Sequence, residues 1–156
     1  MATIEALALV TNTGKAHIAE SFVTGKSFVV DTYALGANGH DPSDPSLALT
    51  PDPSRSGCYC GPGPTGSITV SGGCLVVDSI SAVSWASSTC PVFTIQVPDG
   101  VATGPVSSLC LLGTYVWSPI PGDPDIGTQF LFGIANFPLK YKLPTDTFVY
   151  DVYVQL

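Results

Sequence analysis

The chain has 156 residues, 45% of them apolar and only 11% charged, with 5 Lys and Arg against 12 Asp and Glu for a net charge of −7. That length suits one domain with a full core. The shortage of bases excludes a protein that grips nucleic acid through its phosphates, because Lys140 and Lys142 are the only close basic pair. A surface of hydroxyls and glycine in place of Lys and Glu is poorly guarded against association. It predicts a chain covered by other subunits, or one exposed outside a cell.

The opening MATIEALALV is apolar but contains Glu5 and lacks a basic start, so it does not read as a secretion leader. The longest apolar runs, such as LALV and CLVV, are far shorter than a membrane span. A soluble chain made in the cytosol, with no membrane partner, is expected. A helix is predicted next, over about residues 13–24. Asn12 or Thr13 can cap its free N–H groups, and Gly25 can stop it. Ile18 and Phe22, flanked by Ala19 and Val23, form its apolar stripe, which leaves His17 and Glu20 turned to solvent.

After the helix the pattern is strand and turn. SFVVDTYAL (27–35) is β-branched and aromatic. The stretch GANGHDPSDPSLALTPDPS (36–54) could offer Asp41, Asp44 and His40 to a cation. Its Asp-x-x-Asp spacing lacks the alternate acidic positions and closing Glu of a calcium loop, however. Each Asp precedes a Pro, which biases it towards extended geometry, and a short carboxylate can hold a turn by accepting backbone N–H bonds. The stretch therefore reads as a connector, with Gly36 and Gly39 serving turns rather than phosphate. SITVS (67–71) and CLVVDSISAVSW (74–85) fit a hairpin about Gly72-Gly73. Strands follow at PVFTIQV (91–97), SSLCLLGTYVW (107–117) and TQFLFGIANF (128–137). In the last, TFVYDVYVQL, Phe148, Tyr150, Val152, Val154 and Leu156 share one face and Asp151 and Gln155 the other. The sum is a mainly β domain over residues 1–156: a small antiparallel sandwich-like fold with one N-terminal helix.

Five cysteines, Cys58, Cys60, Cys74, Cys90 and Cys110, leave at least one unpaired within the chain. Disulfides within or between chains, inert buried thiols and a metal site all remain open, although Cys58-x-Cys60 lacks the CxxC spacing of zinc ribbons. For catalysis the pickings are thin. There is no G-x-S-x-G, both histidines lie in the first 40 residues, and Asp31, Asp78, Asp146 and Asp151 are isolated strand or strand-end carboxylates. No catalytic residue, metal or cofactor is expected.

The order ALALVTNTGKAHIAESFVTGKSF, YALGANG, LALTPDPS resembles the start of phage tail-collar fibre proteins, with their T-N-x-G helix and Gly-turn before a proline segment. PVSSLCLLGTYVW and FGIANFPLKYKLPTDTFVYDVYVQL are similar to that family's later strands, while the cysteine-bearing middle departs from it. The resemblance implies a module that attaches a fibre to the tail or baseplate, with no catalytic residues. Because this sequence stops near its closing strand, it implies an anchor without a shaft. The expectation is a non-enzymatic virion structural protein, made in the host cytoplasm and acting as a tail-fibre adaptor, collar or baseplate component. Its partners are copies of itself and other tail or fibre proteins. Contact surfaces are expected at Tyr59 beside Cys58 and Cys60, and on the closing strand at Phe148, Tyr150 and Tyr153. Two alternatives share these features. One is a module that binds a host glycan or receptor through Trp85, Trp117 and Tyr115, and the other is a head-decoration or neck protein.

Overall fold

The computed structural model describes residues 2–55, 68–69 and 75–156. In chain order the elements are β1 (Ala2–Val10), α1 (Asn12–Thr24), β2 (Ser27–Gly36), β3 (His40–Asp41), β4 (Asp44–Ala48), β5 (Ile68–Thr69) and β6 (Leu75–Ser79). They continue with β7 (Ala82–Ser87), β8 (Cys90–Val97), β9 (Gly104–Trp117), β10 (Gln129–Lys142) and β11 (Phe148–Val154). The domain is mainly β with one helix, as the run of short β-branched segments implied. Nine strands form one sheet in the order β5-β6-β2-β9-β10-β1-β11-β8-β7, and β3 and β4 pair as a separate ribbon.

Strand β1 joins the two halves of the sheet. Ala2 to Ala8 run parallel to Phe148–Val154, whereas Leu9 and Val10 pair antiparallel with Ile134 and Gly133. The antiparallel expectation is corrected here for β1 and β11, which run parallel, and the first ten residues, to which the sequence reading gave no element, supply a strand. The sheet curls so that its inner face meets itself. Tyr33 and Leu35 of β2, Leu109 and Leu111 of β9 and Phe132 of β10 pack in one cluster with Ile95 and Val97 of β8 and with Phe148, Tyr150 and Val152 of β11.

A sharp corner holds the curl. The segment 74–85, read as one strand, divides at Ile80 and Ser81 into β6, second from one end of the strand order, and β7, at the other end. Ile80 donates its N–H to Asp31 O of β2 at 2.9 Å, and Ser81 donates to Thr94 O of β8 at 2.9 Å. Two consecutive residues thus tie the halves together. On the other side, Ile68 and Thr69 pair antiparallel with Val76 and Leu75, one residue off the register that a two-residue turn at Gly72-Gly73 would give, and that turn lies outside the described residues.

The closing strand alternates as expected, but its aromatic face is not a contact surface. Phe148 and Tyr150 are 6% and 0% exposed. Because β11 lies between β1 and β8, every second side chain enters the chain's own core. The interface expectation is therefore corrected for these two residues. Tyr153, on the opposite face, is half-buried.

Strand β10 runs beyond its expected end at residue 137, through Pro138 to Lys142. Pro has no N–H for the ladder, and the pairing with β9 slips between Asn136 and Lys140, where a bulge accommodates it.

Candidate functional site

The helix is where polar chemistry collects, and its orientation reverses the expected one. Its cap is Thr11, one residue earlier than Asn12. Thr11 Oγ1 accepts from Gly14 N–H at 2.9 Å and donates to Leu131 O at 2.7 Å, while Thr11 N–H donates to Phe132 O at 3.0 Å. The C-terminal stop is Gly25, at φ 74°. Gly14 sets the rotation. A Cβ there would stand 2.5 Å from Phe132 O, so only glycine lets the helix lie this close to β10. Positions three, four and seven residues on, His17, Ile18 and Ser21, then face the sheet. Val23, nine residues on, has turned about 180° away.

Of the expected apolar stripe only Ile18 packs against the core. Phe22 is 84% exposed and Val23 87%, and Ala19 is exposed too. His17, expected in solvent, instead lies 4.0 Å from the Phe130 ring and 5.2 Å from the Tyr115 ring, centroid to centroid.

Around Tyr115 these groups form a closed polar cluster. His17 Nδ1 and the Tyr115 hydroxyl share a hydrogen bond, and the hydroxyl lies 2.9 Å from Glu20 Oε2. Lys26 Nζ stands 2.6 Å from Asp125 Oδ2, 3.1 Å from Asp123 Oδ2 and 3.8 Å from Glu20 Oε1. Asp123 also accepts from Ser118 Oγ at 2.7 Å and from Asp125 N–H at 3.0 Å. Burial, then the bond to Glu20, pushes the Tyr115 phenol up to about 12, so it stays a neutral donor. The bonds to Asp125 and Asp123 hold Lys26 above its ordinary range.

The carboxyl of Asp123 is held down to about 2, first by Ser118 Oγ–H, then by Asp125 N–H, then by Lys26. Its folded value lies below the unfolded 3.8, so its contribution to stability is complete above that value and is lost as pH falls through about 2. The urea midpoint of the parent protein should therefore fall more steeply between about pH 4 and pH 2 than that of Asp123→Asn. Parallel pH profiles for the two proteins would show that this carboxylate is not held as described.

Chemically the cluster is a lock rather than a reaction centre. Its donors and acceptors satisfy one another, and they pin the C-terminal end of α1 to the turn that joins β9 to β10. Sequence reading missed it because Tyr115 and Asp125 lie 95 and 99 residues from Glu20 and Lys26. The available signal was Lys26 itself, one of only 5 basic residues, just after the helix stop.

The remaining candidates are scattered. Asp31 accepts from Thr114 Oγ1 at 3.0 Å, Asp151 from Thr94 Oγ1 at 2.9 Å, and Asp146 from Leu143 N–H at 3.0 Å. Each carboxylate is thus engaged by a neighbouring donor, while the Asp78 side chain lies outside the described residues. Cys90 and Cys110 are buried thiols, not bridged to each other. Cys58, Tyr59, Cys60 and Cys74 lie outside the described residues. Among those described, no group of three or more His, Cys, Asp and Glu could hold a metal ion, and no helix is long and apolar enough to cross a membrane.

In the Asp-rich connector the carboxylates hold turns. Asp41 Oδ1 accepts from Ser43 N–H at 2.8 Å, Asp44 Oδ1 from Ser46 Oγ at 2.6 Å, and Asp52 Oδ1 from Ser54 N–H at 2.9 Å. The bonds from Ser54 lower the Asp52 carboxyl below its usual range. His40 does not join the carboxylates: its Nδ1 pairs with Ser107 Oγ at 2.9 Å. The ribbon is strapped to its own sheet, with Gly39 N–H donating to Ser107 Oγ at 2.9 Å and Asn136 Nδ2 to Leu49 O at 3.0 Å.

Two shallow depressions share no residue with the polar cluster. One, lined by Glu5, Leu7, Cys90 and Tyr153 among others, and the next, which also includes Leu7, lie over the outer face of β1 and its neighbours. Large apolar side chains are exposed elsewhere as well: Trp85 on β7, Trp117 at the end of β9, Ile120 and Tyr141. Tyr115, grouped with the two tryptophans as a candidate glycan platform, is only 3% exposed and faces inward, which corrects that grouping. Compared with protein-family models and with curated sequences, the chain matches none.

Proposed function

We propose that the protein is a non-enzymatic structural subunit that works by assembly. In this reading it is a virion component of the tail-fibre anchor, collar or baseplate class, with copies of itself and other tail or fibre proteins as partners. The observation that carries the assembly role is the outer face of α1. Phe22 and Val23 stand 84% and 87% exposed on a helix whose inner face is locked by polar bonds. Large apolar side chains held out on a rigid element, in a chain only 11% charged, match a surface covered by a neighbour in an obligate interface. The tail location rests on the sequence resemblance.

Replacing both residues, Phe22→Ser with Val23→Ser, should leave the unfolding free energy within about 0.5 kcal/mol, because neither side chain packs in the fold. The same pair should reduce self-association in sedimentation velocity and lower the copy number in purified particles. A parent protein that stays monomeric at every concentration, is missing from particles and binds glycan would overturn the reading in favour of a recognition module. Exposed Trp85 and Trp117 are what that rival would use.

A further inference from the structure

We infer that the open edge of β7 is a self-pairing surface, on which a second copy of this chain docks its own β7 antiparallel about a two-fold axis through Ser84. The inference rests on the assembly reading and names one of its surfaces and the occupant.

Among the described residues, strand β7 ends the nine-stranded sheet and pairs only with β8. All six of its residues are exposed, with Val83 at 56% and Trp85 at 67%. Edges of this kind are normally guarded by charge, proline or a covering element. Here β7 carries neither charge nor proline, and no charged residue occurs between Asp78 and Asp99.

That gap selects the occupant. An isologous contact brings each residue near its own counterpart, so any charge close to the axis meets itself. For a chain of net charge −7, a charge-free edge is where a second copy approaches with least repulsion. A basic partner strand would gain nothing from this edge.

The backbone sets the register. In an antiparallel ladder, alternate residues turn their N–H and C=O towards one neighbour and then the other. Gln96 gives its N–H to Ser81 Oγ on the β7 side, and Pro91, opposite Trp85, has no N–H to give. The residues of β8 bonded to β7 are therefore Thr94 and Val92, opposite Ala82 and Ser84. Val83 and Trp85 are left with their N–H and C=O at the open edge. When a second β7 is laid antiparallel about Ser84, Val83 of each copy falls opposite Trp85 of the other, and each such pair can exchange both N–H···O bonds. The same register stacks a β-branched side chain on an aromatic one, a favourable cross-strand pair. The two Ser84 residues then form the close, non-hydrogen-bonded pair, with Cα atoms about 4.5 Å apart.

That distance gives the test, because a disulfide needs Cα atoms about 4.4–6.8 Å apart. Ser84→Cys, oxidised in dilute solution, should give a reductant-sensitive dimer well above any seen with the parent chain. Ala82→Cys places its two sulfurs four residues out of register, with Cα atoms about 13 Å apart, and should not exceed the parent. Sedimentation velocity on the parent runs alongside. If Ser84→Cys gains nothing, or Ala82→Cys cross-links equally well, the β7 pairing is overturned. Self-association by the parent in that case leaves the assembly reading standing. A parent that stays monomeric throughout and is also missing from purified particles removes both.

Discussion

Tyr150→Ala should lower the free energy of unfolding by about 3–5 kcal/mol, the range for removing a buried aromatic ring. The loss should be the same at every protein concentration. Tyr150 is 0% exposed, with its ring 5.5 Å from Phe137 and 6.2 Å from Phe148, centroid to centroid. It projects from β11 into the space where the two halves of the curled sheet meet. Burial also raises its phenol well above the ordinary value, a second mark of an interior position. Truncation would leave a cavity that neighbouring strands, fixed by pairing on both sides of β11, cannot close. Urea unfolding at several concentrations checks the point. A residue that stabilised the protein through a subunit contact would show a loss that grows with concentration, as binding linkage requires. Tyr153→Ala, on the other face of the same strand, should cost much less, because Tyr153 is only half-buried.

This strand shows what the sequence made legible. The alternation in TFVYDVYVQL correctly separated inward from outward residues from Phe148 to Val154, since period two survives wherever a strand has one core face, whereas Leu156, expected on the inward face, lies past the strand and is 60% exposed. What it could not reveal was the pairing of that strand. A parallel neighbour from the first ten residues and an antiparallel one from β8 turn an apparent terminal strand into an interior one. Similarly, the run CLVVDSISAVSW has strand-forming character throughout, and no glycine or proline marks the corner at Ile80 and Ser81. That corner is set by bonds to β2 and β8, contacts that local propensity does not encode.

The helix was legible in its extent, Asn12–Thr24 with Gly25 as its stop, but the face it buries was misread for a related reason. Ile18, Phe22, Ala19 and Val23 make an apolar stripe by spacing, and spacing alone would bury them. A single close approach, Gly14 against Phe132 O, rotates the helix so that His17 and Ser21 face the sheet beside Ile18, and the Glu20 carboxylate reaches round to Tyr115. The residues of the polar cluster are therefore legible only once Tyr115 and the Asp123–Asp125 turn have been brought back to α1 by the fold. The same rotation exposes Phe22 and Val23, and a local pattern that disagrees with its own fold in this way is expected at a functional surface.

Gly39→Ala is the second substitution with a large expected effect, at about 1–3 kcal/mol. Gly36 and Gly39 both read as turn glycines, yet Gly39 is not held by a left-handed backbone; its φ is not among the positive values. Its constraint is contact. An added Cβ would stand 2.1 Å from Ser107 O and 2.7 Å from Asn136 Oδ1, and the first of these is backbone in the middle of the sheet. Relief requires the β3–β4 ribbon to lift. Lifting breaks the bond from Gly39 N–H to Ser107 Oγ, the pairing of His40 with the same hydroxyl, and the reach of Asn136 Nδ2 to Leu49 O. The turn bonds made by Asp41, Asp44 and Asp52 are local and would survive, so the ribbon should detach as a unit rather than unravel. Hydrogen exchange would read this directly. In Gly39→Ala, the amide at position 39, which reaches Ser107 Oγ, should lose protection, while those of Leu49, Ser43 and Ser54, bonded within the connector, keep theirs. Equal loss at all four positions would mean that the Asp turns depend on the strap and do not hold the connector's shape themselves.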